Sequence, residues 1–356
     1  LILLLYTVFF GRLVNGARAW IGIGSIGIQP SEFAKIATIL LLARYLDSSK
    51  HSQNEFKRFF ISSVIVFIPM GIILLQPDFG TALVFIPILL VMTTIAGISA
   101  KYIAFLGICI GLTGFLMVVP LWQEFILQGE YPFLLIFSNI RFILILIAAL
   151  VLISLVALFG LVRFKKSYFF WLIYSSAILI FSFGASFLAT KVLKDYQIMR
   201  LIVFLDPNVD PRGSGWQIIQ SITAIGSGGI LGKGYLEGTQ SHYRFLPQQS
   251  TDFIFSILSE EIGFIGGIVV FALFLLILLR LIKIIKNTSD LFGSYIIAGI
   301  SGMIVFHFMI NVGMTMGIMP ITGIPLLFMS YGGSSLLSIM LAIGLCQSIH
   351  IRRFDH

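Results

Sequence analysis

The sequence predicts an all-α polytopic integral membrane protein, a helical bundle of about ten spans with one large extracytoplasmic loop. Three observations carry that prediction. Charged residues are only 11% of the chain and mean hydropathy is +1.04, whereas a soluble domain carries about 25% charged residues. Hydrophobic residues reach 58%, gathered in repeated apolar runs of roughly 20 residues, the length of a membrane-crossing helix. The basic residues sit in short clusters between those runs, the pattern of positively charged cytoplasmic loops.

In chain order the runs fall near 31–46, 59–76, 79–98, 102–120, 133–161, 168–190, 252–282, 293–316 and 324–350, after a partial run at 1–10. The segment "DSSKHSQNEFKR" (47–58) is basic and is assigned inside, which puts loop 11–30 outside. Alternation then brings Lys101, "RFKK" (163–166), "RLIKIIK" (280–286) and the Arg352-Arg353 pair to the inside as well. Every basic cluster lands on one face, so the span count is self-consistent. The net charge of +8 therefore reads as membrane topology and not as nucleic-acid binding. Cys109 and Cys346 lie inside apolar runs without spacing partners, and the five histidines are scattered, so neither a disulfide framework nor a zinc site is legible. The opening "LILLLYTVFF" reads as the tail of a helix already under way.

The opposite face receives loop 11–30, the turn "QPDFG", an acidic stretch near Glu124 and Glu130, the long loop 191–250 and "GIMPITG" (317–323). A connection of about 60 residues is unusual, since loops beyond about 15 residues are mostly functional or disordered. Its stretch "GWQIIQSITAIGSGGILGKG" predicts an amphipathic helix at the interface followed by a glycine-rich turn.

Ionisable residues in or beside membrane spans are expensive and therefore mark candidate sites. That face collects Arg18, Glu32, Lys35, Asp78, Arg200 and Asp252. Glu32 and Lys35 are three apart and share a helix face; an interior ion pair and a substrate contact are equally open for them. Arg141 reads as structurally paired. Asp252 opens a helix, where a carboxylate is favoured by the macrodipole, so capping by Asp252, Thr251 or Ser250 competes with a catalytic role. Glu260 and Glu261 read as internal polar contacts. His307 and Asn311, four apart, read as an interhelical hydrogen bond. The glycines and serines of "SYGGSS" (330–335) suit close helix packing or a locally opened backbone.

Five motifs in order resemble the SEDS family (shape, elongation, division and sporulation proteins). They are "NGARAWIGIGSIGIQPSEFAKI" (15–36), "QPDFGTAL" (76–83), "YQIMRLIVFLDPNVDPRGSGW" (196–216), "LPQQSTDFIFSILSEEIG" (246–263) and "NVGMTMGIMPITGIPLLFMSYGGSS" (311–335). The segment "AIGSGGILGKGYLEGTQS" (224–241) is more similar to the RodA branch, which serves elongation, than to the division branch. The resemblance implies that the whole chain, 1–356, is one transmembrane domain, with extra spans at 121–190 and the large outer loop at 191–250, and lacking the family's first helix and part of its second at the N-terminus. The chain departs from the family at Gln248, where a glutamate is usual.

The resemblance implies a glycosyltransferase of the bacterial cytoplasmic membrane that polymerises lipid II, the undecaprenyl-pyrophosphate-linked disaccharide-pentapeptide, on the outer side. Its essential acid corresponds to Asp252, and Arg18, Trp20, Gln29, Glu32, Lys35, Asp78 and Arg200 correspond to polar positions around its cavity. A carboxylate at the outer interface suits a general base. Arg18, Lys35 and Arg200 suit a departing diphosphate, and a divalent cation such as Mg or Mn would suit the same leaving group. The implied partners are the lipid II substrate, membrane lipid and a class B penicillin-binding protein carrying transpeptidase activity. A flippase for the same precursor is the rival, since a polar cavity and broken helices serve transport too; a non-catalytic scaffold for the transpeptidase is a third.

Overall fold

The computed structural model describes residues 1–14, 16–23, 26–50, 52–127, 139–192, 195–211, 213–243, 245–246 and 248–352. Glu130 of the acidic stretch and Arg353 of the terminal basic pair lie outside the described residues. The chain opens with α1 (Ile2–Phe10), strands β1 (Arg12–Val14), β2 (Ala17–Ile23) and β3 (Ile26–Ile28), and helices α2 (Pro30–Ser48), α3 (Glu55–Leu75), α4 (Phe79–Leu83) and α5 (Phe85–Ile95). It continues with α6 (Ala100–Trp122), α7 (Ile140–Phe164), α8 (Ser167–Val192) and α9 (Asp195–Leu205). The last third holds α10 (Ser214–Gly228), α11 (Thr239–His242), α12 (Ile254–Asn287), α13 (Leu291–Thr315) and α14 (Gly333–Arg352).

Among the described residues seven helices, α3, α6, α7, α8, α12, α13 and α14, are long and apolar enough to cross a membrane. With the partial run α1, the more polar α2 and the broken pair α4–α5, they account for the apolar runs of the sequence, and the protein is a multi-pass helical membrane protein. The run 79–98 begins at Asp78, which caps α4, its side chain accepting from Thr81 N, and it is interrupted at Val84. The helix restarts at Phe85, with Pro87 in its first turn, where a missing N–H costs no intrahelical bond.

One prediction is corrected here. Segment 11–30, read as loop, forms a three-stranded antiparallel sheet in the order β1-β2-β3. Arg12 pairs with Trp20, Leu13 with Arg18, and Ile21 with Ile28. The Asn-Gly pair at 15–16 is a hairpin signal, and Gly16 has φ +85°, the left-handed conformation such turns require.

Residues Leu1–Ser99 and Trp216–His356 form one compact unit, and Ala100–Gly215 a second. The second is built on α6, α7 and α8, with α7 and α8 as the hairpin formed from the additional runs. Arg141, expected within an apolar span, instead occupies the first turn of α7, exposed, with its N–H donating to Asn139 Oδ1 at 3.0 Å.

In the first unit α13 is the central post. Buried residues make up 67% of its most apolar window, against 6% for α7 in the second unit, which leaves α7 facing lipid. Small residues let α13 approach its neighbours: a Cβ at Gly299 would sit 2.7 Å from Met92 Sδ on α5 and 2.9 Å from Ile39 on α2. Close approach through small residues is the usual means of packing helices where no hydrophobic drive separates protein from lipid. At the end of the unit away from Gln29, Arg58 is buried rather than simply lining a basic loop. Its Nε donates to Ser49 Oγ at 3.2 Å and its Nη2 to Leu46 O at 3.1 Å, satisfying the carbonyl end of α2 with a cation.

Replacing Gly299 by leucine should separate α13 from α2 and α5 and cost about 1–3 kcal/mol of overpacking strain or more. The readout is a lowered unfolding temperature and a smaller monodisperse fraction in detergent.

Candidate functional site

Asp252 lies in an irregular turn immediately before α12, whose N-cap is Phe253 without a side-chain cap bond. Gln248, at φ +57°, starts the turn, and its carbonyl accepts the N–H groups of Thr251 and Asp252, each at 3.2 Å. The next three carbonyls each have a partner from elsewhere in the chain. Ser250 O accepts Tyr331 N at 2.8 Å, Thr251 O accepts Ser330 Oγ at 2.6 Å, and Asp252 O accepts Asn311 Nδ2 at 2.9 Å. The same Nδ2 donates to Ile324 O at 2.8 Å. The half-buried Asp252 is thus carried on a turn stitched to α13 and to the irregular segment 316–332 that precedes α14.

Segment 316–332 is in turn stitched to the start of the first unit. A Cβ at Gly80 would lie 2.3 Å from Thr322 O, so only glycine allows the "QPDFG" turn to close on this segment. Asp78 beside it accepts Gln29 Nε2 at 2.9 Å and Thr81 Oγ1 at 2.8 Å. Gln29 N donates to Ser334 Oγ at 3.0 Å, tying α2 to the start of α14. Gln29, Asp78 and the Asp252 turn therefore belong to one contiguous polar end of the first unit.

Arg18 and Trp20 reach this end on β2. Arg18 is exposed, and its backbone N–H donates to Gln76 O at 3.2 Å, next to the "QPDFG" turn. The half-buried Trp20 packs its ring over Gly27, where a Cβ would meet it at 3.1 Å. Arg200 belongs to the second unit, on α9, with its guanidinium 5.7 Å from the Tyr196 ring centre.

Glu32 and Lys35 are 3% and 1% exposed and form an ion pair of 2.8 Å. Of the two alternatives open from sequence, the geometry is that of the interior ion pair. Ser338 Oγ donates to the second oxygen of Glu32 at 3.1 Å. Lys35 Nζ also lies 3.2 Å from His307 Nε2, and His307 Nδ1 lies 3.0 Å from Pro325 O. A carbonyl only accepts, so Nδ1 carries the imidazole proton and Nε2 accepts from the ammonium. His307 and Asn311 thus grip the successive carbonyls of Pro325 and Ile324. The interhelical bond expected at this pair is present at His307, which joins α13 to Lys35 on α2; the further targets, the irregular segment and the Asp252 turn, could not be read from spacing.

Glu260 is fully buried and is an internal contact, as its sequence position suggested. It accepts Lys233 Nζ at 2.9 Å, Thr239 Oγ1 at 3.2 Å, Gln240 N at 3.0 Å and Ser241 N at 3.1 Å. Three residues later α12 breaks at Gly263, with φ +71° and ψ −161°. The glycine-rich turn after α10 fills the break. Phe264 N donates to Gly229 O at 2.9 Å and Ile265 N to Ile230 O at 3.3 Å, while Lys233 N and Gly234 N donate to Glu260 O and Glu261 O. The predicted amphipathic helix and glycine turn are both present, and the turn splices a helix whose own ladder is interrupted.

Beside the Asp252 turn lies a cavity of about 220 Å³. Its lining includes the apolar Leu236, Ile254 and Ile257 and the polar His242, Ser250 and Glu261. Among the described residues no three His, Cys, Asp or Glu side chains gather into a metal-binding group.

The family model described as cell cycle protein, FtsW/RodA/SpoVE, matches residues 1–131 and 123–354. The peptidoglycan glycosyltransferase RodA of Treponema pallidum is 53% identical over 99% of this chain and 81% of its own length. Stage V sporulation protein E of Bacillus subtilis is 35% identical over 95% and 73%, and the peptidoglycan glycosyltransferase MrdB of Escherichia coli 31% identical over 99% and 76%. Among solved structures, a chain described under structural coordination of polymerization and crosslinking by a peptidoglycan synthase complex superposes with a TM-score of 0.64 at 26% identity, covering 100% of this chain and 79% of that one. RodA of Thermus thermophilus shares the fold, with a TM-score of 0.55 at 22% identity over 99% and 75%. Matched along nearly its whole length by model, sequence and structure, the chain belongs to the FtsW/RodA/SpoVE family of cell cycle proteins, the family its motifs resemble.

Proposed function

We propose that the chain is a peptidoglycan glycosyltransferase that polymerises lipid II during cell elongation, with Asp252 as general base. The observation that carries this reading is the Asp252 turn, a half-buried carboxylate on a pinned backbone at the polar end of a membrane bundle. The names of the relatives support the activity: RodA and MrdB are peptidoglycan glycosyltransferases.

In this reaction the Asp252 carboxylate takes the proton of the acceptor sugar's 4-hydroxyl as its oxygen bonds to the donor's anomeric carbon. The bond from that carbon to the diphosphate oxygen breaks, and undecaprenyl pyrophosphate leaves with the electron pair. Attack opposite the leaving group inverts the centre, giving a β linkage from an α-linked donor. Arg18, exposed at the same end as Asp78 and Gln29, supplies a guanidinium fork for the diphosphate. Trp20, Gln29 and Asp78 line the polar end that receives the sugars. Lys35 and Glu32 serve this site from inside, since a cation 1% exposed and already paired is a support and not a phosphate contact. A cavity lined by both apolar and polar residues suits a substrate that joins a lipid tail to a sugar head.

The chain resides in the bacterial cytoplasmic membrane with the Asp252 end facing out. Its partner is a class B penicillin-binding protein, in keeping with a similar chain found in a complex that couples polymerization to crosslinking.

Purified protein should polymerise lipid II in detergent. Asp252→Ala should abolish strand formation while Gln248→Ala leaves it intact; movement of the lipid across liposomes that survives Asp252→Ala without any polymer would favour the flippase instead. Full complementation of growth by Asp252→Asn would favour the scaffold.

Lys35→Ala should leave Glu32 buried without its cation and cost about 3–5 kcal/mol. The double change Lys35→Met with Glu32→Gln should recover much of the lost thermal stability, because both charges then vanish together.

A further inference from the structure

We infer that Asn311 and Ser330 are positioning residues for Asp252, together forming a clamp that fixes the backbone of residues 250–252 and so sets where the carboxylate points. The inference rests on the general-base reading and adds to it the parts that aim the base.

Three consecutive carbonyls, of Ser250, Thr251 and Asp252, are each taken by a donor distant in sequence: Tyr331 N, Ser330 Oγ and Asn311 Nδ2. A turn leading into a helix needs no such partners for its own fold when it lies at a membrane surface, where water can serve. Fixing all three carbonyls leaves the preceding turn little freedom to rotate, and Asp252 is the ionisable residue that this restriction orients.

Each side chain is chemically matched to its place. Asn311 is fully buried and its Nδ2 faces two carbonyl oxygens, of Asp252 and Ile324, so the site demands an uncharged group with two N–H bonds. An aspartate there would set a carboxylate against two acceptors. The Ser330 hydroxyl is used in both directions, donating to Thr251 O at 2.6 Å and accepting Leu326 N at 2.8 Å. That second bond closes a tight loop over Leu326–Ser330 in which Phe328 holds φ +69°, a left-handed conformation that a bulky side chain rarely adopts. The loop is anchored behind by His307, whose ring bonds Pro325 O and accepts from Lys35. A continuous set of contacts thus runs from the buried Glu32–Lys35 pair through His307 and the 324–331 loop to the carbonyls beside the base.

A misplacement of about 1 Å at a reacting group can lower a rate by about 100-fold. The test is steady-state polymerisation of lipid II by the purified full chain in detergent, comparing Ser330→Ala, Ser330→Thr and Asn311→Ala with the wild type and Asp252→Ala. Ser330→Ala should lower kcat by about 10- to 100-fold with KM changed by less than about twofold, the signature of lost transition-state geometry and not of lost binding. Ser330→Thr, which keeps the hydroxyl, should restore most of kcat, and Asn311→Ala should fall at least as far as Ser330→Ala. If Asn311→Ala does not fold, the alanine and threonine variants of the less buried Ser330 still decide the matter. Wild-type kcat in Ser330→Ala, an equal loss through KM, or no restoration by threonine would overturn the clamp while Asp252→Ala remained inactive. Polymer formation by Asp252→Ala would instead overturn the general-base reading, and the clamp with it.

Discussion

The polar end of the first unit depends on two irregular segments that are bonded to each other. The turn 248–253 precedes α12, and the segment 316–332 joins α13 to α14. Where they meet, three carbonyls of the turn take fixed donors of the protein in place of exchanging water. Joined through Asn311, Ser330 and Tyr331 N, the two segments hold the backbone that carries Asp252. The position of Asp252 follows from that joining.

The same constraint explains the buried charges. Glu32 and Lys35 would be ruinous singly in the interior, but paired with each other, with Ser338 and with His307 they become a neutral, fully bonded knot. Such a knot adds little net stability compared with apolar packing; what it supplies is direction. Lys35 as donor forces His307 Nε2 to accept, which leaves Nδ1–H for Pro325 O, and the loop beside the Asp252 turn is held in one arrangement. Glu260 does the equivalent for the long loop, gathering four donors from residues 233–241 around one buried carboxylate. The break at Gly263 is tolerated for the same reason, because carbonyls of Gly229 and Ile230 replace those lost from the helix ladder.

A glycosyl transfer between lipid-linked partners asks for this division of labour. The tails need apolar surface along spans, the heads need a polar end, and the base must stay fixed while large substrates enter and leave. The lipid-facing α7 and the tightly packed α13 stand at the two extremes of burial among the spans. The best-buried span, α13, is thus the one that carries Asn311 and His307.

Much of the protein was determined by sequence alone. Apolar runs fix helices because the bilayer leaves a backbone no other way to satisfy itself, and the spacing of acids and bases marked Glu32, Lys35, Asp78 and Asp252 as residues out of place in lipid. The helix and glycine turn of the long loop were legible from local periodicity. Tertiary structure decided the rest. The hairpin at 12–28 was hidden because short strands with an Asn-Gly turn look like loop between long spans. Arg58 read as a loop charge because its acceptors, Leu46 O and Ser49 Oγ, lie at the end of the preceding helix, across the α2–α3 connection. Whether Glu32 and Lys35 meet substrate or each other depends on burial, which three-residue spacing cannot report. That Asn311 reaches Asp252, 59 residues away along the chain, is a property of two loops folding against one helix, since a hydrogen bond is set by distance and direction in space and leaves no period in the sequence.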